Sequence, residues 1–376
     1  MNALVLSGGG ARGAYQVGVL NGLADITSKA GIKIPFQILS GVSAGAINAS
    51  VMAAGNDDFV SSARKLADLW GTLKTENVFK TDALSIGKIG LKWVGELSFG
   101  ALTGTTPGNS LLDTAPLFEL INKNLQSEKI AEQINKGNLK ALTITAMDYK
   151  TSTAITFVEG DSSCVDWERA RRKSEKANIK AEHIIGSSAI PILFPPIAIE
   201  DRFFGDGCVR NLAPCSAALH LGADKLFIVG VRMTADSAYD RAFATSKKSP
   251  SVARVVNVIL NAVLLDGVEV DVERLNRIND FLKKVPAEHH AQLNFKPVDH
   301  LFMSPSHDIG EIASSMSSKL PRIIRFVLKG LGPLEDASEI ISYLLFEKEF
   351  TSQLIELGYD DVIRRKEEVL KFFSSN

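Results

Sequence analysis

Cysteine is scarce in this chain: Cys164, Cys208 and Cys215 are the only three in 376 residues. An odd count without paired spacing excludes a disulfide framework and points to a reducing compartment. No cysteine or histidine stands at the spacing of a zinc site, so no metal and no other cofactor is expected. A basic excess is missing too. The 42 Lys and Arg residues are matched by 43 Asp and Glu, for a net charge of −1. A nucleic-acid binder would carry a strong positive imbalance, so nucleic acid is excluded as a partner. No apolar run reaches the length of a membrane span. No basic region, long apolar stretch and cleavage site precede the first strand, so no signal peptide is read. These absences describe a cytoplasmic protein without a transmembrane segment.

What is present is apolar residues, at 45% of the composition, ample for a large core. Short apolar runs with strand character alternate with helical patterns: strands at Ala3–Ser7, Phe36–Ser40, Leu139–Met147, Thr153–Val158, Ile197–Phe204 and Lys225–Val231; helices at Ala14–Thr27, Ala44–Ala54 and Asp58–Leu73. Asp113 or Thr114 is placed to cap a further helix, with Pro116 in its first turn. Buried strands between helices predict an α/β fold, a mostly parallel sheet covered by helices on both faces. Beyond Val231 the pattern turns mainly helical, with one more strand at Val298–Met303 and helices at Ser249–Leu265, Val268–Lys283, Pro321–Gly330, Glu335–Phe346 and Asp360–Phe372. The expected organisation is a catalytic core over 1–231 and a helical portion over 232–376 packed on it. The alternative is a separate helical domain from about Thr234.

Three short segments carry chemistry. Gly41-Val42-Ser43-Ala44-Gly45 matches G-x-S-x-G and lies between an apolar strand and a helix of small residues, the context that motif requires. Gly41 and Gly45 give the turn room, and the serine is held at a helix N-terminus, where developing negative charge is favoured. Gly8-Gly9-Gly10-Ala11-Arg12-Gly13 follows the first strand. Its backbone can aim several N–H groups at one point, as an oxyanion hole needs. The same segment satisfies G-x-G-x-x-G, but a dinucleotide site needs an acidic residue after the second strand. None lies between Asp25 and Asp57, so no dinucleotide is expected. For Arg12, two roles stand: orienting the loop or binding a substrate anion, and a structural salt bridge. In Phe203-Phe204-Gly205-Asp206-Gly207-Cys208, the glycines Gly205 and Gly207 let a carboxylate press against a neighbour. A turn aspartate is the plain alternative, and the two other segments favour a catalytic carboxylate.

Together these segments resemble the patatin-like phospholipase family. The S-G-G-G-A-R-G loop at Ser7–Gly13, G-V-S-A-G at Gly41–Gly45 and D-G at Asp206-Gly207 occur in that family's order. The stretch from Ser187 to Pro196 is similar to the one preceding the family's aspartate. The match covers roughly Asn2 to Val231, with weaker similarity through Ser304–Gly310 and Leu357–Tyr359. One departure is Cys208, where members usually carry glycine or alanine. The resemblance implies a Ser43–Asp206 dyad, an oxyanion hole from the first glycine loop, and lipid acyl hydrolysis without a metal.

The chemistry fits. A serine hydroxyl needs a base, and burial of Asp206 beside Phe203, Phe204 and Ile190–Ile197 would raise its pKa into a useful range. The expected activity is that of a phospholipase A, lysophospholipase or carboxylesterase. The alternatives are an acyltransferase using the same dyad and a lipid-binding protein without turnover. Six histidines (His183, His220, His289, His290, His300, His307) are available, and His220 and His307 follow Asp206 in the order a triad would need. His220 reads better as a packed helix residue and His307 as a loop residue. The apolar stretch Ile86–Leu102 reads equally as an acyl channel wall or flap and as core. Partners are a lipid or ester substrate and, as a peripheral contact, a membrane. Arg322, Arg325 and Lys329 share one face of the Leu320–Gly330 helix, which is either an interfacial element or a core helix with a solvated cationic edge.

Overall fold

The computed structural model describes residues 1–34, 36–81, 110–234, 249–290, 293 and 295–374. Its centre is one mixed, mostly parallel sheet. Strands β1 (Asn2–Leu6), β2 (Ile38–Val42), β3 (Ala141–Asp148), β9 (Lys225–Val229) and β10 (Asp299–Met303) run parallel in the order β10-β9-β1-β2-β3. β3 then pairs antiparallel with β4 (Thr153–Gly160), β4 parallel with β6 (Arg172–Lys176), and β6 antiparallel with β5 (Glu168–Arg169). Every residue of β2 and β3 is buried, as expected of central strands covered by helices on both faces. The fold class is the expected one, and a C-terminal helical region accompanies it.

β3 organises the rest. β4 occupies one of its edges over the whole of Ala141–Asp148. On the other edge β2 pairs only as far as Val42 opposite Thr145. There β8 (Arg202–Asp206) takes over, running antiparallel and pairing Asp206 with Ala146. The carboxyl ends of β2 and β8 therefore meet head-on against adjacent residues of one strand.

Two expectations are corrected. Ile197–Phe204 is not one strand but a hairpin, β7 (Ile197–Ile199) and β8, with Ile199 opposite Arg202. The two-residue turn Glu200-Asp201 lacks the usual glycine signal, yet Glu200 adopts the positive φ (54°) that such a turn demands. The last helix is not Asp360–Phe372. One helix spans Lys348–Arg364 and a second Lys366–Ser374, with Arg365 at the break donating to the Phe302 carbonyl of the sheet at 2.6 Å. A short helix, Ala287–His290, lies between the Asp266–Leu282 helix and β10.

The Lys348–Arg364 helix runs along α1 (Gly13–Lys29). Contact is backbone to backbone: a Cβ at Gly358 would lie 2.2 Å from the Tyr15 carbonyl oxygen, and one at Gly18 2.0 Å from that of Ile355. Tyr15 donates to Asp361 at 3.0 Å and Tyr359 to Asp25 at 2.7 Å, closing the interface with polar pairs. Gly358→Val is expected to lower unfolding stability by about 1–3 kcal/mol or more, the overpacking range. Gly330→Ala, with no heavy atom within 4 Å, should be neutral or gain the roughly 0.5–1 kcal/mol of helix propensity. Equal denaturant midpoints for Gly358→Val and wild type would contradict the close crossing.

Candidate active site

The turn after β2 holds Ser43 at φ 54°, ψ −126°, a sparsely populated conformation costing about 1–3 kcal/mol. The flanking glycines allow it: a Cβ on Gly41 would lie 2.3 Å from the Gly45 carbonyl oxygen, and one on Gly45 2.3 Å from that of Leu6. Ser43 precedes α2 (Ala44–Ala54) and is itself buried. Its N–H donates to Ser187 Oγ at 2.9 Å, and that hydroxyl donates on to the Thr145 carbonyl at 2.6 Å. Ser187 therefore pins the strained turn to β3, a role that proximity alone reveals.

Asp206 is buried at the end of β8. Its carboxylate accepts a hydrogen bond from the Cys208 N–H at 2.9 Å, and the Ser43 hydroxyl and Cys208 thiol lie near enough to stabilise its charge. Burial dominates and pushes the carboxyl up to about 6, while these three groups pull the other way. The desolvating wall differs from expectation. Phe204 is buried, but Phe203 is 55% exposed, because successive strand residues face opposite ways. Tyr149 lies over Gly205 instead, and Gly207 fits under the Thr145 carbonyl.

Cys208 links this carboxylate to the first glycine loop. A Cβ on Gly8 would lie 2.3 Å from Cys208 Sγ and 2.8 Å from Ser43 Cβ, so the loop backbone packs directly against the sulfur. Burial, then the Asp206 charge, raise the Cys208 pKa well above its ordinary value, so the group stays a thiol. The N–H groups of Gly9 and Gly10 donate to no acceptor among the described residues. Gly10 has φ 57° and shares a cleft wall with Ser43.

The rest of the loop faces the protein. Ala11 is core, and Gly13 packs on Ala44 and the Trp70 ring. Arg12 is 1% exposed: its Nε donates to Ser342 at 2.7 Å, it pairs with Glu339, and its guanidinium lies 5.2 Å from the Tyr343 ring centre. It thus fastens the loop to the Ser338–Leu344 helix. A buried polar relay does the same from below. Trp70 donates to Asn48, Asn48 to Gln16, and Gln16 to the Ser7 carbonyl, at 2.9, 2.9 and 2.8 Å.

From Ser43 opens a cleft of about 740 Å³, counting space open to solvent. Its walls are apolar side chains including Ile47, Val51, Leu69, Leu117, Ile121 and Phe194. The Ile86–Leu102 segment, with Trp93 and Phe99, lies outside the described residues. The histidine hydrogen bonds go elsewhere: His183 to Lys180 N–H, His220 to the Ser216 carbonyl, His300 to the Val298 carbonyl and His307 to Ser306. Among the described residues no cluster of His, Cys, Asp and Glu is placed to hold a metal ion.

The pattern of the family described as patatin-like phospholipase matches residues 4–219, more than half of the chain. The chain belongs to that family. No curated protein matches. Among solved structures, VipD from Legionella pneumophila is similar over 94% of this chain, at 14% identity and a TM-score of 0.33. The alignment spans 66% of VipD's own length. The patatin-like match takes in Ser43, Asp206 and the glycine loop but stops short of Glu339, Ser342 and Tyr343, which hold Arg12.

A carboxyl whose pKa rises on folding contributes stability that is full below its unfolded value, near 3.8, and lost as pH rises through about 6. Above pH 6 the folded protein holds a buried charge. Asp206→Asn is therefore expected to raise the unfolding midpoint at pH 8 and to lose that advantage by pH 4. Equal midpoints at pH 8 would show that Asp206 is not held against its burial.

Proposed function

We propose that this protein is a serine acyl hydrolase acting on lipid esters, with Ser43 as nucleophile and Asp206 as its base. The observation that carries the reading is the buried approach of the Ser43 hydroxyl to a carboxylate poised near 6, at the end of an apolar cleft. A carboxylate of that pKa is mostly ionised at neutral pH and close enough to it for proton transfer.

Asp206 takes the Ser43 proton as Oγ attacks the ester carbonyl carbon, and the carbonyl electron pair moves onto oxygen. The N–H groups of Gly9 and Gly10, with the N-terminal end of α2, take up that developing oxyanion. The intermediate collapses by breaking the bond to the alcohol, which leaves with the proton from Asp206. Water then gives its proton to Asp206 as it attacks the acyl-Ser43 carbonyl, the bond from Oγ to the acyl carbon breaks, Oγ takes the proton back from Asp206, and the acid is freed. The acyl chain lies in the cleft, where each buried CH₂ contributes roughly 0.8 kcal/mol. Arg12 keeps the loop in register and does not touch the substrate. Contact with lipid is peripheral in this reading; among the described residues no helix is long and apolar enough to cross a membrane.

A fluorophosphonate probe is expected to label Ser43 alone, and Ser43→Ala to abolish both labelling and ester hydrolysis. Asp206→Asn should lower turnover at least about a hundredfold, the lower range for loss of a general base, in a protein that remains folded. Alanine at each histidine in turn should leave turnover largely intact. Near-normal hydrolysis by folded Asp206→Asn, or a histidine variant as inactive as Ser43→Ala, would overturn the dyad.

A further inference from the structure

The Val252–Leu264 helix carries an unusual outer face. Val252, Val255, Val258, Ile259 and Val263 recur at helical spacing and are 37–59% exposed, while Ala253, Asn257 and Leu264 face inward. Five exposed aliphatic side chains on one helix face make a contiguous apolar surface of the kind that soluble proteins rarely leave bare.

The Arg322–Leu331 helix packs beside it and extends the same character. Ile324 and Leu328 are buried, but Phe326 is 76% exposed, with Val327 and Leu331 also on the outside. This helix is therefore not a core helix with a charged rim. Charge on the pair is one-sided: Arg254, Arg322, Arg325 and Lys329 lie on the two helices, and neither contains an Asp or Glu. Glu335 and Asp336 lie on the Leu334–Ala337 turn that packs against both helices, and Asp336 accepts from Ser251; the outer faces of the two helices themselves carry only cations around exposed aliphatics.

Position adds the third element. Ala262, Val263 and Leu264 line a crevice together with Gly8, Val42 and Cys208. The apolar face thus ends beside the loop that carries the candidate site. Cations flanking a broad apolar surface match an anionic lipid interface, where aliphatics enter the acyl boundary and Lys or Arg meet headgroups. A second copy of this chain is a poorer match. A two-fold interface would set the same cations against one another.

We propose that the outer faces of the Val252–Leu264 and Arg322–Leu331 helices form one docking surface for an anionic lipid bilayer, delivering lipid to the adjacent site. The delivery rests on the reading of the chain as a lipid acyl hydrolase; the docking itself needs no turnover.

The test uses the full chain carrying Ser43→Ala, floated with vesicles of phosphatidylcholine alone or mixed with phosphatidylserine. Stronger binding to the mixed vesicles is expected. Val258→Asp/Ile259→Asp and, separately, Arg322→Glu/Arg325→Glu/Lys329→Glu should each weaken it at least about tenfold, since each cation near an anionic surface contributes on the order of 1 kcal/mol. Made in the Ser43 background, the same variants should keep wild-type hydrolysis of a soluble short-chain ester and wild-type unfolding midpoints. Vesicle binding equal to the parent in both variants overturns the surface. So does self-association that Val258→Asp/Ile259→Asp abolishes while vesicle binding persists. Absence of ester hydrolysis in wild type would instead count against the enzyme reading and leave the vesicle result standing by itself.

Discussion

The Ser43 hydroxyl and the Asp206 carboxylate are brought together in the buried interior, and most of the fold is arranged around placing them there. β3 supplies the ruler. Its free edge is shared by two strands arriving from opposite directions, β2 ending opposite Thr145 and β8 ending opposite Ala146. Two side chains 163 positions apart in sequence are brought together by consecutive residues of a single buried strand. A register slip of one residue in either pairing would turn the functional side chain to the opposite face.

Holding the pair is costly in two ways, and the surrounding contacts offset both. Ser43 sits in strained backbone, which Ser187 clamps to β3. Asp206 carries its charge in a buried site, where the Ser43 hydroxyl and the thiol and N–H of Cys208 partly replace water. Cys208 contributes two of those groups and also packs against Gly8, so one residue couples the candidate base to the glycine loop. The C-terminal helices complete the arrangement. Glu339 and Ser342 fix Arg12, and the Lys348–Arg364 helix backs α1, which follows directly from the loop.

The three segments with chemistry were legible because each needs small residues in an unbroken run, and Gly8–Gly10, Gly41–Gly45 and Gly205–Gly207 display that need locally. The alternating strands and helices of the core were legible for the same local reason. The supports were not. Ser187 and Thr145 meet Ser43 only through the β2–β3 register. The Trp70–Asn48–Gln16 relay joins three helices with no common motif. The Glu200-Asp201 turn hides in an apolar run, so the hairpin that delivers Asp206 read as one strand and Phe203 as a wall of the site. Cys208 stood out as a departure from the family pattern, but its place between Gly8 and Asp206 is visible only in three dimensions. The Lys348–Arg364 helix was misplaced because its buried face is set by Gly358 against α1, a contact that apolar periodicity does not announce.

The central claim is that a desolvated carboxylate, not an imidazole, is the base. The most direct measurement is the acid limb of kcat/KM on a soluble ester, followed at several temperatures in wild type and Cys208→Ala. The account predicts a single limb near pH 6, almost independent of temperature because carboxyl ionisation has little enthalpy. It also predicts a shift of that limb to higher pH in Cys208→Ala, where Asp206 loses the neighbouring thiol. A limb that falls steeply on warming, as imidazolium ionisation does, and that ignores the Cys208 substitution would contradict it.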